Sequence, residues 1–211
     1  MTVLAHAPAS YHHALFHGVS WNDYERVLAE IGDGPTRVSF LDGVMEIVSP
    51  LPEHDSAKSV FGDLIAELAV ELRIPRKSFG STTFRRQEKK AGTEPDECFY
   101  FNEIDSVKGM KKFDPSVHRA PDLAIEVDVM NSSLPREAIF ARLGIPELWR
   151  YRSPRITIRL LRGGKYTSAA KSELFPRLPM DRFAEFVQSM IEEDETRTLL
   201  DFREWLRKIM Q

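Results

Sequence analysis

The chain has 211 residues, with 29 Lys+Arg against 32 Asp+Glu for a formal net charge of -3, and 42% of its residues are hydrophobic. That length suits one domain with a substantial core, and the composition is that of an ordinary globular protein rather than a disordered, fibrous or membrane one. A single cysteine, Cys98, excludes an internal disulfide and a cysteine-based zinc site. No apolar run approaches the roughly 18 residues of a membrane span and no signal-peptide pattern opens the chain, so a soluble, cytoplasmic protein is expected. The acidic balance argues against a surface uniformly dedicated to nucleic acid.

Residues 1–20, rich in Ala, His and Pro, read as a tail or extended arm. Ser20 is a plausible N-cap for a helix in which Tyr24, Val27, Leu28 and Ile31 fall at helical spacing, stopped by Gly32-Asp33-Gly34-Pro35. Two strands, 37–41 and 44–48, flank Asp42-Gly43, a dipeptide suited to the type I′ hairpin turn. From His54 to Leu72 the positions Val60, Leu64, Ile65, Leu68 and Leu72 make one stripe of an amphipathic helix. A strand entered through Pro95 follows at 94–101. Pro121 to Val129 is the clearest strand: Leu123, Ile125, Val127 and Val129 face one way, Asp122, Ala124, Glu126 and Asp128 the other. Ser133 is expected to cap a helix that runs to Leu143 and stops at Gly144. Strands at 148–152 and 155–161 end at Gly163-Gly164, and helix patterns surround 183–191 and 199–209. The order predicts an α/β protein with a mixed central sheet.

Carboxylates crowd the polar face of the 121–129 strand, where like charges demand a cation or a wet cleft. Asp96, like Asp122 preceded by proline, stands on another short strand, and two carboxylates on neighbouring strands suit Mg²⁺. Asp122 and Glu126 are about 13 Å apart along an extended strand, too far to share one ion, so Asp96 pairs with one of them and Glu126 is favoured. The alternative is an edge strand whose polar face is simply solvated.

Leu41-Asp42-Gly43, Ser49-Pro50 with Pro52-Glu53-His54, Glu94-Pro95-Asp96, Ala120-Pro121-Asp122-Leu123-Ala124-Ile125-Glu126-Val127 and Gly144-Ile145-Pro146-Glu147-Leu148-Trp149 together resemble the Uma-two family, a branch of the PD-(D/E)xK nucleases. The resemblance covers roughly 21–178 and implies an α/β, restriction-endonuclease-like fold. Its core would be a four-stranded mixed sheet flanked by helices, with an added N-terminal helix and hairpin and a C-terminal helical extension at 179–211. It implies an endonuclease that hydrolyses DNA phosphodiesters with Mg²⁺, or Mn²⁺ in its place. The metal would be held by Asp96 and Glu126 with support from Asp122, and Glu46 and His54 fall on further site positions. The superfamily lysine two residues after the second acid is replaced by Asp128. The family's lysine on the following helix is matched by Arg136, a candidate phosphate contact that cannot accept a proton.

Net charge hides two basic segments, 73–90 and 142–165, that could face DNA. His12, His13 and His17 read as part of the terminal arm, and Cys98 as a buried strand residue. Two rival classes remain: a nuclease-fold module that binds nucleic acid without cleaving it, and an interaction partner or homodimer using the C-terminal helices with Trp205.

Overall fold

The computed structural model describes residues 12–32, 34–49, 52–80, 82–128 and 133–210, apart from the side chains of His12 and of 52–56. In chain order the elements are β1 (His12–His17), α1 (Trp21–Ile31), β2 (Arg37–Leu41), β3 (Val44–Ser49), α2 (Pro52–Leu72), β4 (Lys77–Ser78), β5 (Phe84–Arg86), β6 (Ala91–Thr93) and β7 (Glu97–Tyr100). They continue with β8 (Leu123–Val127), α3 (Arg136–Leu143), β9 (Glu147–Arg152), β10 (Arg155–Arg162), β11 (Lys165–Ala169), α4 (Met180–Glu192) and α5 (Glu195–Met210).

Two sheets result. The first is antiparallel, in the order β1-β3-β2-β6-β5; the second runs β11-β10-β9-β8-β7-β4. Within the second, β8 and β9 are parallel and the other neighbours antiparallel, so it is mixed, as expected, but six-stranded rather than four. Parallel neighbours need a crossover, and α3 supplies it.

Local chemistry explains the first elements. Ser20 caps α1 in a capping box, its hydroxyl accepting the Asp23 N–H at 3.1 Å while the Asp23 carboxylate takes the Ser20 N–H at 3.3 Å. Tyr24 then packs with Trp21 and Phe40 over Val38 and Met45. Asp42 and Gly43 both take positive φ, 48° and 85°, as the two-residue hairpin requires. Residues 12–17 are an edge strand of this sheet rather than a loose arm, pairing antiparallel with β3.

The stripe read on α2 is buried: Val60, Leu64, Ile65 and Leu68 pack with Leu123, Ile125 and Val127 of β8 and with Trp149 of β9. Phe183, Phe186, Phe202 and Leu206 from α4 and α5 complete that same core, so the C-terminal helices share it with α2. On the opposite face of β8, Ala124 and Leu148 meet Ile139, Phe140 and Leu143 of α3, together with Leu41 and Ala91 of the first sheet. That second core holds the two sheets against α3. Glu147 braces the start of β9, its buried carboxylate accepting the Trp149 indole N–H at 2.6 Å and the N–H groups of Glu173 and Leu174 at 2.9 and 3.2 Å. None of the described helices is long and apolar enough to cross a membrane.

Two local expectations are corrected. Ser133 does not cap α3, which starts at Arg136 after Pro135; its backbone N–H goes instead to Glu46 at 2.7 Å. A further strand, β11, follows the Gly163-Gly164 turn. Val129 lies outside the described residues.

Candidate active site

β7 and β8 run antiparallel with Glu97 opposite Ile125, and one more step of that register sets Asp96 opposite Glu126. Asp96 ends its strand by turning its carboxylate back onto β8, where Oδ2 accepts the Val127 N–H at 2.6 Å; Arg37 of β2 grips Oδ1. Only 1% of Asp96 and 7% of Glu126 is exposed, and buried carboxylates persist only with partners.

Arg136 is the partner of Glu126. Its Nε and Nη2 donate to the two carboxylate oxygens at 2.9 and 2.8 Å, a bidentate fork. Nη2 also donates to the Glu94 carbonyl at 2.8 Å, while Nη1 donates to the Ser39 hydroxyl at 2.5 Å and to the Thr93 hydroxyl. All five N–H donors of the guanidinium are therefore engaged, by residues of β2, β6, β8 and the 94–96 turn. Burial by itself would lower the Arg136 pKa, but Glu126, Glu46 and Glu94 outweigh it and hold the group charged. Burial raises Glu94 and Glu97 above the ordinary carboxylate range, against the pull of Arg37 and Lys58 on both.

Glu46 reaches the same centre from β3. It lies across the hairpin from Ser39 and accepts from Ser133 N–H, with His13 Nε2 at 2.9 Å from its Oε1. The structure thus gathers Glu46, Asp96, Glu126 and Arg136 into one buried charge centre at the end of β8. Asp122 is not among them. At the other end of the strand its carboxylate accepts the N–H groups of Phe101 and Asn102 at 2.7 and 2.9 Å and a fork from Arg119 at 2.8 and 3.0 Å. The side chain of His54 lies outside the described residues. Asp128 pairs with Arg150 at 2.6 Å rather than with Arg136.

Arg37, Ser39, Thr93 and Glu94 escaped the sequence reading. Glu94 stood inside a quoted motif; the others come from strands whose approach to residue 96 or 136 no local pattern encodes. Cys98 is buried and its thiol raised by that burial, as expected of a core residue.

The donor set suits a hard divalent cation in kind. Asp96 and Glu126 are two carboxylates in facing positions, the number Mg²⁺ usually takes, and their oxygens accept from Arg37 and the Val127 N–H in one case and from Arg136 in the other. Among the described residues no group of three or more His, Cys, Asp or Glu side chains is arranged to hold a metal.

Much of the basic charge is consumed internally. Arg85 pairs with Glu25 at 2.8 Å, Arg142 with Asp42 at 2.5 Å, and Arg150 and Arg159 with Glu137 at 3.1 and 2.8 Å. Exposed Lys89 and Lys90 remain at the turn between β5 and β6, where the Lys89 carbonyl accepts from Arg142 at the end of α3. Six residues of α3, about 9 Å, separate Arg142 from Arg136.

No curated protein matches this chain. Among solved structures, a nuclease-like protein of the DUF820 group from Anabaena variabilis, titled a "putative nuclease", shares 15% identity over 85% of this chain and 96% of its own, with a TM-score of 0.50. At that identity the likeness shows the fold alone, and it agrees with the restriction-endonuclease-like α/β architecture. The sequence model of the Uma2 family, described as "Putative restriction endonuclease", matches residues 21–189, and on that span the chain belongs to the Uma2 family.

Proposed function

We propose that the protein is a Mg²⁺-dependent endonuclease that hydrolyses phosphodiester bonds of DNA in the cytoplasm. One observation carries the reading: two buried carboxylates, Asp96 and Glu126, occupy facing positions of neighbouring strands. Membership of a family of nucleases supports it. Asp96 and Glu126 would hold the ion, with Glu46 adding negative charge beside them; Asp122, tied to Arg119, acts on the 101–102 turn instead. When bound, Mg²⁺ supplies an activated water and stabilises charge on the phosphate. The chain's own part is to fix the two acids rigidly, Asp96 through the Val127 N–H and Glu126 through its place near the end of β8, so that little reorganisation is needed. Lys89 and Lys90 offer charge to the DNA backbone one α3 length away.

The test is nicking of supercoiled plasmid in Mg²⁺ by the wild type and by Asp96→Asn and Glu126→Gln proteins verified as folded by circular dichroism. Cleavage that needs Mg²⁺ and disappears in both variants is expected; cleavage unchanged in both overturns the assignment. A second reading, a binding module without hydrolysis, is favoured by the Arg136 fork that fills both oxygens of Glu126. It predicts salt-sensitive DNA binding in EDTA with no cleavage in any divalent metal.

A further inference from the structure

From the Arg136 geometry we infer that this residue is a built-in cation that competes with a divalent metal for Glu126, so that metal entry requires the guanidinium to let go. The inference rests on the reading of Asp96 and Glu126 as the cation-binding acids.

Both Glu126 oxygens accept from Arg136, at 2.9 and 2.8 Å, so neither presents a free lone pair toward Arg136's side of the pocket. An arginine retains its charge at any working pH, so protonation chemistry does not release it. The fork is also tied down elsewhere. The donors not given to Glu126 go to Ser39, Thr93 and the Glu94 carbonyl, and the side chain lies over the Phe140 ring, 5.3 Å from its centroid. Releasing Glu126 therefore disturbs a knot that joins β2, β6 and α3. A phosphate gains nothing from a guanidinium whose donors are all engaged, which assigns Arg136 to gating the centre rather than to contacting DNA.

A lysine at this position would act differently. Its ammonium is a point charge with three donors and cannot fork a carboxylate while also reaching both hydroxyls. Arg136→Lys should leave Glu126 with a free oxygen, and Arg136→Gln should leave it buried without a cation until a metal arrives.

The experiment is Mn²⁺ binding by isothermal titration calorimetry, paired with thermal unfolding with and without Mn²⁺, on wild type, Arg136→Lys, Arg136→Gln and the double variant Arg136→Gln/Glu126→Gln. Both single variants should bind Mn²⁺ about tenfold or more tighter than wild type, a factor in the usual range by which one bound group changes the affinity for another. Arg136→Gln should melt below wild type without metal and regain several degrees with it, while the double variant gains none. Arg136→Lys keeps the question answerable if Arg136→Gln does not fold. Equal Mn²⁺ affinity in wild type and single variants overturns the competition while leaving the site intact. Heat of binding from none of the proteins overturns both the competition and the cation site.

Discussion

Arg136, the first residue of α3, holds Glu126 near the end of β8 by two parallel N–H···O contacts of 2.9 and 2.8 Å, and this one pair joins the crossover helix to the strand it leaves. Breaking a buried pair from one side leaves the other charge without compensation. Glu126→Leu is expected to cost about 3 kcal/mol, and the double change Glu126→Leu/Arg136→Met to recover much of that loss. Urea unfolding monitored by tryptophan fluorescence measures both; a double variant as unstable as the single one contradicts the account.

Asp122 should set an acid limit on stability. Burial alone raises its pKa, but the Arg119 fork and the N–H groups of Asn102 and Phe101 outweigh it and bring it below the ordinary value. A carboxylate depressed in the folded state stabilises fully above its unfolded pKa of about 3.9, and the contribution fades as pH falls through the folded value. Asp122→Asn should therefore be less stable than wild type by about 2 kcal/mol at pH 7, with the gap narrowing below about pH 4. Paired urea titrations at the two pH values check the sign.

Gly92 is needed for close approach. A Cβ there would lie 2.3 Å from the Tyr24 hydroxyl oxygen and 2.8 Å from the adjoining ring carbon. Gly92→Ala is expected to destabilise by about 2 kcal/mol through overpacking. The Tyr24 hydroxyl is buried and has no hydrogen-bond partner among the described residues, so Tyr24→Phe should be neutral or slightly stabilising and should soften the Gly92→Ala penalty. Melting temperatures of wild type, the two single variants and the double variant decide it.

If DNA is the ligand, exposed lysines should matter more than paired arginines. Lys89→Ala/Lys90→Ala is expected to weaken DNA binding and reduce the salt slope by about 1 to 2. Arg159→Ala should change the slope little, because Glu137 at 2.8 Å already takes that charge. Fluorescence anisotropy across a salt series distinguishes the two.

The legible parts of the sequence were those whose signal is local. Asp42-Gly43 carries its own turn, Ser20 and Asp23 their own cap, and the alternation of Leu123, Ala124, Ile125 and Glu126 its own strand, so these formed where expected. β1 carries no such signal: His12–His17 becomes a strand because the outer edge of β3 offers it a partner. Within the site, Glu46 came only with the family resemblance, while the acids Asp96 and Glu126 were readable as charges on neighbouring strands. Their partners were not, since Arg37 meets Asp96 across 59 residues of chain and Ser39 meets Arg136 across 97. Asp122 looked like a member of the centre because it shares the carboxylate-bearing face of its strand with Glu126 and falls on a position the family resemblance marks. Only the N–H groups of Phe101 and Asn102, about twenty residues upstream, show what its carboxylate serves.

α5 bears on how the chain is made. Arg203 and Arg207 meet Glu67 and Glu71 of α2 across 136 residues, and Phe202 and Leu206 enter the core that α2 lines. On a ribosome, α1 and the β2–β3 hairpin can close early, since their apolar cluster draws only on Val19 to Ile47. The larger core stays open to solvent until α5 emerges, many seconds later at ordinary rates of synthesis. Nascent chains stalled between α4 and α5 are thus the form that a chaperone would meet with the wall of α2 uncovered.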